Sequence, residues 1–204
     1  MSARPEAKGA AQMATRVPPS PNFKAMEAAA PSSAGQRHDI VAHVGNLVFT
    51  WSNNESLFIY LLQVLLDTDF EAAAITFITL NTTRARLDLV RRLTKLRVRD
   101  PEVVHKVEKL IERFNDCTKL RNELNHSIYE LDAAGCITHS SELRVSETKD
   151  GLRLASRRPF DAARIRQIEA TVRKLTKLNR DLWAFMPELE RTLRKRRPLN
   201  GKGS

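Results

Sequence analysis

Two cysteines in 204 residues, Cys117 and Cys136, are too few for a disulfide framework and suit a reducing, cytoplasmic compartment. Although 42% of the chain is hydrophobic, no run approaches the roughly 18 apolar residues of a spanning helix, so no membrane partner is expected. A secretory signal would need a continuous apolar segment near the N-terminus, and none is present. No glycine-rich phosphate loop, no G-x-S-x-G and no H-E-x-x-H occur, which removes the common nucleotide, esterase and zinc-protease motifs. With five histidines and two cysteines there is little for a metal cluster. Cys136-Ile137-Thr138-His139 has a C-x2-H spacing, with Cys117 as a distant third group, but zinc sites use four ligands in tighter pairs. Neither a metal nor a cofactor is therefore expected. The scarcity that points somewhere is that of acids. There are 24 Asp+Glu against 34 Lys+Arg, a formal charge of +10, which suits a polyanionic partner, nucleic acid before membrane surface. Seven of those ten charges belong to residues 161–204, which end in the basic run Arg191, Arg194, Lys195, Arg196 and Arg197.

Residues 1–37 are rich in Ala, Pro, Ser and Gly with no periodic apolar pattern, and read as a disordered tail. The ordered domain is expected over residues 38–197, with 198–204 again disordered. From Asp39 onward Ile40, Val44, Leu47, Trp51, Phe58, Leu62 and Leu65 recur at helical spacing, which predicts a first helix. Asp69 is a good N-cap for a second helix over about 70–97, interrupted near Asn81-Thr82-Thr83. Asp100-Pro101-Glu102 predicts the start of a third, running to about Leu131. Residues 136–158 alternate in short extended runs around Asp150-Gly151, a β-hairpin signature. Asp161 then caps a fourth helix over about 162–196, kinked at Pro187. The expected fold is all-α, a four-helix-type bundle with a small β-hairpin inserted before the last helix.

Along the third helix the inner face reads Val103, Val107, Leu110, Phe114, Cys117, Arg121, Leu124, Ile128 and Leu131. Arg121 thus stands where a hydrophobe is expected. At about 100° per residue Asn122, Asn125, His126 and Tyr129 fan away from it over an arc of about 140°. The first helix carries a matching interruption, Glu55, between Trp51 and Phe58. A buried arginine and a buried carboxylate are each costly alone, so the two are expected to pair across the bundle. Cys117, on the apolar seam, reads as a small core residue.

The run Arg121-Asn122-Glu123-Leu124-Asn125-His126 resembles the R-x4-6-H signature of HEPN domains, in the version with a polar residue after the arginine. The resemblance covers roughly residues 38–190, mostly as architecture. One subgroup of that family continues the motif as His-x-Tyr, whereas this chain has His126-Ser127-Ile128-Tyr129, one residue longer. The resemblance implies a HEPN-like all-α domain that forms a homodimer through its motif helices and builds a composite site from the two motifs. Many such domains are metal-independent endoribonucleases of toxin–antitoxin or defence systems, with an antitoxin or other protein partner. Others are non-catalytic binding modules. Under the nuclease reading His126 has the intrinsic pKa for proton transfer. Arg121 is permanently charged and can fork onto phosphate oxygens, and Asn122 would orient one or the other. Asn125, Tyr129 and Glu55 are supporting candidates. Arg191, Arg194, Lys195, Arg196 and Arg197 would follow the RNA backbone.

Overall fold

Each of the five helices starts where a polar side chain takes up a free backbone amide, in a computed structural model that describes residues 20–148 and 151–194. Helix α1 (Phe23–Leu66) is capped by Asn22, whose side chain accepts from the Ala25 amide at 3.1 Å. Asp69 caps α2 (Phe70–Thr79) by accepting from Ala72 at 2.7 Å, and Thr82 caps α3 (Thr83–Arg97) through Ala85 at 3.1 Å. Asp100 caps α4 (Pro101–Asn125) with Pro101 in its first turn, and Asp161 accepts from the Arg164 amide at the start of α5 (Ala162–Arg194). Such caps contribute about 1 kcal/mol each. The long second helix expected from the sequence is two helices, because Leu80 leaves α2 in an extended conformation and Thr82 restarts the chain. Pro187 lies inside α5.

Between α4 and α5 the chain forms three strands, β1 (Ser127–Leu131), β2 (Ile137–Thr148) and β3 (Gly151–Pro159). They make one antiparallel sheet in the order β1-β2-β3. The hairpin is β2–β3, with Thr148 opposite Gly151; Lys149 and Asp150 lie outside the described residues. The fold is therefore mainly helical with a small sheet, rather than all-α with four helices.

Two boundaries move. The third helix ends at Asn125, not near Leu131. Three of its last carbonyls are claimed by residues just beyond its end. The His126 amide donates to Asn122 O at 3.1 Å, Ser127 Oγ to Glu123 O at 2.6 Å, and the Tyr129 hydroxyl to Leu124 O at 3.0 Å. These bonds satisfy helix-end groups that would otherwise be orphaned, while Ile128 and Tyr129 favour extended backbone. At the other end of the chain, α1 begins at Phe23, so residues 23–37 are helix rather than tail; residues 1–19 lie outside the described residues. Polar contacts hold this extension. The Gln36 amide donates to Ile137 O at 2.8 Å and accepts from Ile137 N at 3.0 Å. Arg37 donates to Gly135 O at 3.0 Å and to the buried Ser33 hydroxyl. Gly135 has a φ of 76°, and a Cβ there would stand 2.9 Å from Ser33 Oγ. The close approach of α1 to this turn thus needs glycine.

The core runs the length of the bundle. Leu47, Phe58, Leu61, Leu62 and Leu65 of α1 are fully buried with Leu87 of α3, Ile111 and Phe114 of α4, and Ile168 and Leu175 of α5. Burying each such side chain contributes roughly 1.5–3 kcal/mol. Helices α4 and α5 are antiparallel, as the ion pairs Lys106–Glu188 (2.6 Å), Arg113–Asp181 (2.7 Å) and Glu123–Arg164 (2.6 Å) show. Among the described residues no helix is long and apolar enough to cross a membrane.

Candidate functional site at the end of α4

The last turn of α4 is built on an aromatic platform. Trp51 of α1 is buried, stacks on Phe114 at a centroid distance of 5.3 Å and an interplanar angle of 22°, and donates its indole N–H to Thr118 Oγ at 2.8 Å. Phe58 meets the other side of this cluster, 5.3 Å from Phe114. Fixed on both sides, the indole presents a face to Arg121, whose guanidinium carbon sits 3.9 Å from the ring centroid. A cation over tryptophan at that distance is attractive by about 0.5–2 kcal/mol. Arg121 Nη1 donates to Asn122 Oδ1 at 2.9 Å, while its buried Nε has no hydrogen-bond partner. Burial pushes the guanidinium down from its usual value, and the charge of Glu55 opposes the shift.

Glu55 is not the ion-pair partner of Arg121. Its carboxylate accepts from Thr83 Oγ at 2.6 Å and pairs with Arg86 at 3.1 Å, both on α3. Arg86 is itself fixed by donating to the carbonyls of Phe77 and Leu80 at 3.1 and 3.0 Å and by lying over the Phe77 ring. The α2–α3 break supplies both partners, and α3 stands closer to Glu55 than α4 does. Arg121 is free to stack on the indole instead.

The other motif residues do not converge on Arg121. Asn122, Asn125 and His126 are exposed. His126 is the C-cap of α4, with φ −109° and ψ 20°, and its carbonyl accepts from the Leu143 amide of β2 at 3.0 Å. Its imidazole forms no hydrogen bond with Arg121 among the described residues. Asn122 and His126 continue, at steps of seven, seven and four residues from Glu108, the flank of α4 on which Arg91 and Lys95 of α3 meet Glu108. Helix α3 does not cover this flank near the motif, and the polar side chains there stand in the open. Tyr129 is turned the other way, from β1 toward the core, with its ring 5.9 Å from Phe160. Burial pushes its hydroxyl up, Arg164 opposing and Glu123 adding to the shift. It supports the strand and lies apart from His126.

The buried ion pair of the region involves Glu123, a motif residue to which the sequence pattern assigned no role. Arg164 of α5, 4% exposed, donates to Glu123 at 2.6 Å and to Gln167 at 2.7 Å. Arg158 of β3 reaches the same Glu123 oxygen at 3.1 Å. Arg164 stands four residues before Ile168 on the inner stripe of α5, and that spacing was the signal in the sequence. This cluster clamps the motif turn to the start of α5 and to the sheet. In the C-terminal basic run, Arg191 Nε donates to Pro187 O at 3.2 Å and Arg194 pairs with Glu190 at 2.6 Å. Lys195, Arg196 and Arg197 lie outside the described residues. Cys117 is buried in the α4 seam, and no group of three His, Cys, Asp or Glu side chains among the described residues could hold a metal ion. No family model matches this chain, and no curated protein or solved structure matches it either.

Proposed function

We propose that the protein is a HEPN-like, metal-independent endoribonuclease that acts as a homodimer, in the manner of a toxin or defence protein. The observation that carries this reading is the state of the α4 terminus. A guanidinium is held on an indole with one N–H unsatisfied, and Asn122, Asn125 and His126 lie exposed beside it on a flank that α3 leaves open. A single chain offers a phosphate-binding arginine and a proton-transferring imidazole without joining them. Two copies related by a two-fold axis through this flank would present two of each to one phosphodiester. In that composite site one His126 takes the proton of the ribose 2′-hydroxyl, and the 2′-oxygen attacks phosphorus. The P–O5′ bond breaks, and the partner's His126 protonates the leaving 5′-oxygen. The products are a 2′,3′-cyclic phosphate and a 5′-hydroxyl. Arg121 carries the charge that grows on the non-bridging oxygens, with Asn122 fixing its Nη1 edge.

The separation of His126 from Arg121 within one chain favours a second reading, a non-catalytic HEPN-like dimeric binding module in which the motif shapes the interface. One experiment divides them. Purified wild type, His126→Ala and Arg121→Met are incubated with single-stranded RNA in EDTA, and the product ends are mapped. The nuclease reading expects cyclic-phosphate ends from the wild type and at least a hundredfold loss in both variants. Turnover that is the same in wild type and His126→Ala, with folding intact, refutes it.

A further inference from the structure

On the opposite flank of α4, away from the motif, α4 and α5 enclose a cleft of about 330 Å³ lined by Arg113, Asp116, Cys117, Thr171, Lys174 and Lys177. That volume lies at the lower end of the range for small-ligand sites. Its charges are unequally satisfied. Arg113 is engaged by Asp181 at 2.7 Å and Asp116 by Lys119 at 2.8 Å, so the one carboxylate in the lining is already taken. Lys174 and Lys177 are exposed and form no ion pair among the described residues.

The cleft opens onto a row of cations. At about 100° per residue, Arg166, Arg173, Lys177, Arg180 and Arg191 fall within an arc of about 60° on the outer side of α5, and all five are exposed. The row is about 37 Å long at 1.5 Å per residue. The carboxylates of α5 are mostly turned aside: Asp181 and Glu188 to α4, Glu190 to Arg194. Glu169 borders the row, 3.9 Å from Arg173. Five like charges in one line on a single helix repel one another in the free protein, and a linear polyanion relieves that repulsion. A membrane surface fits less well, since an interfacial helix needs an apolar face for the lipid. The apolar face of α5 is spent on the core through Ile168, Leu175, Leu178, Leu182 and Leu189.

We infer that this face binds the phosphodiester backbone of single-stranded RNA, with one phosphate seated in the α4–α5 cleft between Lys174 and Lys177 and the strand running along the α5 row. The inference rests on the RNA reading above for the identity of the polyanion, but not on the chemistry of the motif. The face is distinct from the basic run at the C-terminus, and its cations are embedded in the folded helix.

The test uses the full chain carrying His126→Ala, so that binding is read without turnover, and a fluorescein-labelled single-stranded RNA titrated by anisotropy over a range of salt. Lys174→Gln/Lys177→Gln is expected to weaken binding and to make the slope of log affinity against log salt shallower by about 1.4, at about 0.7 per lost phosphate contact. Arg84→Gln, a cation on α3 that is 93% exposed, is the control and is expected to change the slope by less than half of that. Three results would overturn the inference: no RNA binding by the parent chain, equal affinity with and without the two lysines while the far-UV spectrum is unchanged, or an equal loss in the control. Tighter binding to phosphatidylserine vesicles than to RNA would also overturn it. RNA binding that depends on Lys174 and Lys177, in a protein whose wild type never cleaves RNA, leaves this face standing and removes the nuclease reading alone.

Discussion

Replacing Glu123 by glutamine keeps the shape of the side chain and removes its charge. Arg164, 4% exposed, then keeps a buried positive charge with Gln167 as its remaining side-chain acceptor among the described residues. Breaking a buried pair by deleting one partner costs about 3–5 kcal/mol. The Glu123 side chain retains 15% exposure, which places the expected cost near the lower figure, about 3 kcal/mol. For a domain of this size that is a fall in Tm of roughly 6–12 °C. Arg164→Met is expected to cost less, about 1–2 kcal/mol, because Glu123 keeps Arg158 at 3.1 Å. The double variant should therefore be more stable than the sum of the singles predicts, by at least about 1 kcal/mol. Urea unfolding followed by circular dichroism measures all four corners of the cycle. A Glu123→Gln cost below about 0.5 kcal/mol, or strict additivity, would show that the pair does not clamp α4 to α5.

Other contacts carry two more expected outcomes. Glu55→Gln combined with Arg121→Met should be additive within about 0.5 kcal/mol, whereas Glu55→Gln with Arg86→Met should couple by more than that; the reverse order would restore the cross-bundle pair that the α1–α3 contact replaces. For Glu108, burial pushes the carboxyl up, but hydrogen bonds and charge from Arg91 and Lys95 outweigh this and hold it below its usual value. A depressed carboxyl stabilises the fold above its unfolded pKa near 4.3 and loses that contribution as pH falls through the folded value. Glu108→Gln should therefore be destabilised by about 1 kcal/mol at pH 7, with the gap from wild type closing below about pH 4. A gap that stays constant into acid would contradict the assignment.

What the sequence shows plainly is whatever depends on neighbours along the chain. Asp69, Asp100 and Asp161 start helices because a cap needs only the amides two or three residues ahead, and Asp150-Gly151 marks the hairpin for the same reason. Strand β1 stays hidden because Ile128 and Leu131 keep the three- and four-residue spacing of the preceding helix. Three side-chain and backbone bonds to α4 carbonyls decide the matter, not periodicity. The start of α1 stays hidden because its anchors are Ser33, Gln36 and Arg37 rather than a hydrophobic stripe. At the candidate site the sequence picks out Arg121 as out of place on an apolar seam, and the guanidinium does lie against the core. It names the wrong counter-charge because the choice between Glu55, Asn122 and an indole face depends on where α3 lies. Glu123 and Arg164 were both visible as residue types, but their meeting joins positions 41 apart through the antiparallel arrangement of α4 and α5.

The bonds between Gln36 and Ile137 join residues 101 apart in the chain. As the polypeptide emerges from the ribosome, the opening turns of α1 have nothing to dock on until the β2 segment is also out. A helix held by late-arriving partners lies at the weak end of the stability range and opens locally before the rest of the fold. In the nascent chain, the stretch around Ser33–Arg37 is accordingly a natural target for a protease or a chaperone. The Asp132–Gly135 turn, by arriving, closes that window.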